Sequence, residues 1–164
     1  ADINRATFYR HYEDKQDLLY RGIDQLVDEI LSLLDTDESK ERTVGERINI
    51  LFSEIWMHRE TFRPFFGPHA PPEFSVRFEE RVVAYLFERR LLPFFENDIP
   101  ESTISLLSRM ITHVLTATLA GWFIDTPEKS CEEIAETYLS FISSGIAGFL
   151  PEEKAKALQS AVRS

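Results

Sequence analysis

The densest set of hydrogen-bond donors in the chain lies in residues 4–15, NRATFYRHYEDK: Asn4, Arg5, Thr7, Tyr9, Arg10, His11 and Lys15, with Ala6 among them. Such a set suits contact with a polyanion that also presents base edges. An arginine pairs bidentately with guanine, and an alanine or a threonine methyl touches the thymine methyl. Threonine, tyrosine and histidine donate to phosphate oxygens, which fixes register without reading sequence. Lys15 adds charge at a helix start, where free backbone N–H groups already favour an anion.

These groups need a short rod to hold them. On a helix, RATFYRHY turns Arg5, Ala6, Tyr9 and Arg10 outward, while Ile3 and Phe8 turn toward a core. Asn4 caps the first turn through its amide oxygen. After about two turns, Glu13 and Asp14 redirect the chain into a longer helix with apolar positions at Leu18, Leu19, Ile23, Leu26, Val27, Ile30 and Leu34. A rod with its N-terminal end presented to base edges is the geometry of a recognition helix in the major groove. The plain alternative is an amphipathic helix with a solvated basic face.

The stretch INRATFYRHYEDKQDLL, residues 3–19, resembles the second half of the helix-turn-helix of TetR-family transcriptional regulators. Asn4, Arg5, Thr7, Phe8, Tyr9, His11, Lys15, Leu18 and Leu19 match the family phrase, with Tyr12 in place of its usual phenylalanine. The resemblance implies a partial DNA-binding domain over residues 1–20, formed by the recognition helix and the start of the connecting helix. It implies a helical ligand-binding and dimerisation domain over 21–164. It further implies operator DNA, read as a palindrome, as partner, a small-molecule effector, and a homodimer built on the last two long helices. The family's two preceding helices are not in this sequence. The expectation is therefore that these 164 residues alone bind operator poorly, because so short a helix depends on packing for its stability.

Composition is compatible with that picture. The chain carries 28 acidic and 18 basic residues, a net charge of −10, which argues against nucleic-acid binding spread over the whole surface. Residues 1–21 are balanced, with four residues of each sign, so the acidic excess lies downstream. Thirteen Phe and only six Gly favour helices over a turn-rich sheet protein. The lone Cys131 and the absence of a secretory signal point to the cytoplasm. The longest weakly polar run, residues 110–124, is shorter than a membrane span requires and reads as a buried helix.

Helical periodicity continues throughout, and the expected fold is all-α: a helical bundle of the TetR ligand-domain type. Residues 35–42 read as a loop. Thr43 and Glu46 form a capping box for a helix with Val44, Ile48, Leu51, Phe52, Ile55 and Trp56 on its apolar face. Four prolines and a glycine interrupt residues 63–72, and Pro93 ends or kinks the helix that follows. The helix over about 101–124 is apolar on nearly every side, so it must be buried on more than one face. Pro127 then suits the first turn of a helix over about 128–149, which carries a run of small residues. A doubly buried helix beside a small-residue stripe favours a homodimer through 101–124 and 128–149.

The aromatics Phe52, Trp56, Phe62, Phe66, Phe78, Tyr85, Phe87 and Trp122 are dense for one small body, with His58, His113 and Thr116 between them. Each taken singly is a core residue. Together they suggest an apolar pocket with a few polar anchors. The expected lining is Phe52, Trp56, Phe62, Phe66, Phe78, His113, Thr116 and Trp122. The isolated histidines lack metal-ligand spacing, so no metal and no cofactor are expected. Adjacent acid pairs such as Glu79–Glu80 and Glu132–Glu133 diverge on a helix, and no phosphate-cradling loop or nucleophile elbow occurs, so catalysis is not expected. The function expected is that of a ligand-responsive regulator, a repressor. The alternatives are a helical protein-interaction or coactivator module of the same fold, and a regulator with no ligand.

Overall fold

The computed structural model describes residues 15–32, 34, 35, 42–67, 69–95 and 98–163, with side chains for all of these except 15–17, 19, 23, 92 and 161–163. Every regular element among the described residues is helical. The opening segment that resembles a recognition helix lies outside them, and so does the side chain of Lys15.

Helix α1 spans Lys15–Ser32. Its Leu26, Val27 and Ile30 enter the core, whereas Leu18, at the other end of the expected stripe, is exposed. Helix α2, Val44–Met57, starts on the capping box that its sequence announces. Thr43 Oγ1 accepts from the Glu46 N–H, and the Glu46 carboxylate accepts from the Thr43 N–H. A short helix α3, Arg59–Phe62, and a 3₁₀ turn, Arg63–Phe65, fill the region before the proline-rich break.

Helix α4, Pro72–Tyr85, continues without a stop into a π-helical segment, Leu86–Leu91, and a last turn α5, Leu92–Phe95. Pro93 therefore neither ends the helix nor breaks it. Proline has no N–H for the carbonyl four residues back, and its ring crowds that carbonyl. The wider π turn just before Pro93 absorbs the misfit and carries the helix through.

Helix α6 spans Glu101–Ile124 and α7 spans Cys131–Ala147. The second of these starts three residues later than Pro127 suggested. Ser130 is its N-cap, with a full capping box to Glu133, and that pair sets the start. The backbone N–H of Ser130 donates to the Glu133 carboxylate, and this holds its pKa below the ordinary value. A terminal helix α8, Glu152–Arg163, packs on α7 and α2.

The core lies where α2, α4, α6 and α7 meet. By length and composition α6 could cross a membrane, but Ile104, Leu107, Ile111, Leu115, Leu119, Trp122 and Phe123 are buried within this body. Its buried hydroxyls are satisfied internally: Ser108 donates to the Ile104 carbonyl and Thr112 to that of Ser108, both at 2.9 Å. Within one chain α6 is not buried all round. Leu106, Met110, Ala117 and Ile124 are exposed at helical spacing on α6; Phe141, Ser144 and Gly145 on α7, and Gly148 and Phe149 just after it, are exposed too.

Candidate functional site

A cavity of about 420 Å³ opens between α2, the π segment, α6 and α7, with Leu158 of α8 and Leu34 completing it. Helix α2 contributes Val44, Arg47 and Ile48. The π segment and its flanks contribute Tyr85, Leu86, Arg89, Arg90, Leu91, Pro93 and Phe94. Ile111 comes from α6, and Tyr138, Leu139, Ile142 and Ile146 come from α7. The wall is aliphatic and aromatic, and its charged members are three arginines. A volume in this range, apolar with a few polar groups, is that of a small-molecule site. A second cleft, of about 630 Å³, lies on the other side of α7. Glu46, Glu132, Glu136, three serines, Gly45, Asn49 and Gln159 line it with Leu139, so it offers little apolar surface to an organic ligand.

Arg90 is the best-connected side chain of the cavity. It donates through Nε to the Tyr85 hydroxyl at 2.9 Å and through Nη2 to Asp35 at 2.8 Å, and it also donates to the Leu34 carbonyl. Leu34 and Asp35 follow α1 directly, so one guanidinium joins the cavity to the end of that helix. Farther up α1, Asp24 pairs with Arg77 of α4 at 2.9 Å, and Asp28 pairs with Arg81. The Arg77 guanidinium also lies 4.1 Å from the centroid of the Tyr20 ring. Helix α1 is thus fastened along its length to the same continuous helix that supplies Arg89 and Arg90, two of the cavity's three arginines.

Arg47 is half-buried, and the one hydrogen bond its side chain makes among the described residues, 3.4 Å long, goes from Nε to the Thr43 carbonyl of its own helix start. Burial first, then the charge of Arg90, holds its guanidinium below the ordinary pKa. Burial also raises the Tyr85 phenol, against the opposing pull of Arg90. Tyr138 is buried, its hydroxyl has no partner among the described residues, and burial alone drives its pKa well above 10.0.

The raised Tyr138 pKa fixes a pH dependence. Folding favours the neutral phenol, so this contribution is complete below about pH 10 and is lost as pH rises beyond it, where the unfolded chain ionises first. Thermal denaturation at about pH 8 and about pH 11 checks it. The drop in Tm between the two should be smaller for Tyr138→Phe than for the parent, and an equal drop would refute the assignment.

The residues expected to line a pocket fall elsewhere. Phe52, Phe62, Phe66, Phe78 and Trp122 are buried in the core. The rings of Phe52, Phe66, Phe78 and Trp122 pack on one another and on their neighbours: Trp122 stacks on Trp56 at 4.5 Å, and Phe66 meets Phe78 edge-on at 5.3 Å. Thr116 bonds back to the Thr112 carbonyl, and His113 is exposed, with Nδ1 against the Arg109 carbonyl. None of the eight lines the 420 Å³ cavity; of the dense aromatic set, Tyr85 does. Asn4, Arg5, Ala6, Thr7, Tyr9, Arg10 and His11 lie outside the described residues. The signal that could have located the cavity is the pair Arg89–Arg90 inside the otherwise apolar run YLFERRLLPFF, residues 85–95. Compared with known proteins, the chain matches no family model, no curated protein and no solved structure.

Proposed function

We propose that this chain is the ligand-sensing body and part of the reading head of a TetR-type transcriptional regulator, a cytoplasmic repressor that binds palindromic operator DNA as a dimer and is released by a small-molecule effector. The observation that carries the reading is the shared guanidinium of Arg90. An apolar cavity of ligand size and the end of the helix leading out of NRATFYRHY depend on the same side chain. An effector that prefers one setting of Arg90 shifts the position of α1, and it can shift it only by its difference in affinity for the two settings. The ion pairs Asp24–Arg77 and Asp28–Arg81 link α1 to α4 and so support a coupling between the two helices. The exposed apolar face of α6 and α7 supports a two-fold dimer, since a patch of that kind on a soluble chain marks an interaction surface.

The test is selection of duplexes from a random pool by the native protein. The expected result is one enriched palindrome whose binding is lost in Arg5→Ala and Tyr9→Ala. A pool that yields no palindrome, or one bound equally by both variants, overturns the proposal.

A further inference from the structure

Resting on the effector reading, we infer that the cavity takes an anionic amphiphile: a carboxylate carried on an acyl or aryl body, with its head between Arg47 and Arg89. Acidic residues outnumber basic ones in this chain by 28 to 18, yet the charged residues lining the cavity are Arg47, Arg89 and Arg90, with no carboxylate among them. Arg90 is already matched by Asp35. Arg47 reaches only a carbonyl of its own helix, and Arg89 has no ion-pair partner among the described residues. Two guanidiniums therefore line the cavity without an ion-pair partner among the described residues: Arg47, half-buried and acted on by Asp35 only at longer range than a salt bridge, and Arg89, exposed at the mouth. A charge removed from water is costly unless paired, so a carboxylate bound there recovers what the apo protein forgoes.

Two further features point the same way. The buried Tyr138 hydroxyl, unpartnered among the described residues, is a donor in the wall, and an anion has acceptors to spare. The π turn brings the neighbours Arg89 and Arg90 to one rim, and such turns recur at functional sites. The rest of the wall, including Ile48, Leu86, Ile142 and Ile146, offers a body without polar groups a place to bury. A cationic amphiphile would meet three like charges there, and a neutral one would leave the guanidiniums unmatched.

The experiment is calorimetric titration of the chain with dodecanoate, a naphthoate, dodecanol and dodecyltrimethylammonium, each below its micelle threshold. At least one of the two carboxylates should bind at least about tenfold tighter than dodecanol, and the cation should not bind. The tighter carboxylate identifies the body as acyl or aryl. Arg47→Gln and Arg89→Gln should each weaken that carboxylate by about tenfold and leave dodecanol unchanged. Tyr138→Phe should weaken it without lowering the apo Tm, because it removes an unpartnered hydroxyl. Ile142→Trp, which fills the cavity, should abolish binding of every probe.

Equal binding of dodecanol and both carboxylates, or arginine variants with unchanged affinity, overturns the anionic class while leaving an effector cavity standing. Carboxylate binding that survives Ile142→Trp places the ligand elsewhere and overturns the site. Binding of none of the four probes to the parent overturns this inference and the effector reading together.

Discussion

A Phe141→Glu variant should sediment as a monomer at concentrations where the proposed two-fold dimer would form in the parent chain. Phe141 is the most exposed large apolar side chain among the described residues, at 66%, and it stands beside exposed Ser144 and Gly145 on α7. On α6, Leu106 and Met110 are 57% and 55% exposed. A β-carbon built on Gly145 would meet nothing within 4 Å, so a facing helix could approach closely there. In a two-fold interface each substitution acts twice. Burial of one phenylalanine is worth about 1.5–3 kcal/mol, so removing two costs about 3–6 kcal/mol before any charge is desolvated. At about 1.4 kcal/mol per decade, the dimer should weaken at least about a hundredfold. Sedimentation velocity across a dilution series measures this, and circular dichroism checks that the variant stays helical. A parent chain that sediments as a monomer at every concentration removes the dimer from the reading.

The capping boxes show what was legible. Thr43 with Glu46 is a contact across three residues, and its chemistry is complete within the local sequence. Ser130 with Glu133 is equally local, yet Pro127 in DTPEKS competes with it as a start signal. The cap prevails because it satisfies backbone groups at both ends of the box, whereas the proline only tolerates a first turn. Pro93 was legible as a disturbance but not in kind. Whether a helix ends, kinks or widens at a proline depends on what packs around it, and here the π segment lies against α6. Chain-wide apolarity of α6 was read as burial on several faces. In the single chain it splits into a buried side and an exposed one, a division that depends on which neighbours arrive.

The position of the cavity was the least legible feature, for a physical reason. Large aromatic rings in a small body attract one another, so Phe52, Trp56, Phe66, Phe78 and Trp122 collect into one packed cluster. Space is left where smaller aliphatic side chains and long arginine stems meet. An arginine in an apolar run usually carries its head out to water, so the sequence of Arg47 or Arg89 does not say that the head borders a cavity. That fact needs α2, the π segment and α7 in one place.

Trp122→Ala separates the two candidate pockets, because only one of them can tolerate a loss at this position. Trp122 is 1% exposed. Its ring stacks on Trp56 at 4.5 Å and lies 5.9 Å from Phe52 and 6.0 Å from Phe123, while Nε1 donates to the Lys129 carbonyl at 3.1 Å. That hydrogen bond also fixes the connection between α6 and α7. Truncation opens a cavity in the aromatic cluster and leaves the Lys129 carbonyl without its donor. The expected loss is about 3–5 kcal/mol, a large part of the 5–15 kcal/mol typical of a domain. Urea denaturation should show it as a much lower midpoint or as a chain already unfolded. Trp122→Phe keeps the ring packing and loses only the hydrogen bond and part of the volume, so it should stay folded. Its affinity for dodecanoate should lie within about twofold of the parent value, since the ring does not border the cavity of Arg47 and Arg89. If Trp122→Ala instead keeps the parent midpoint and Trp122→Phe loses the ligand, the aromatic cluster is the binding site and the arginine-rimmed cavity is not.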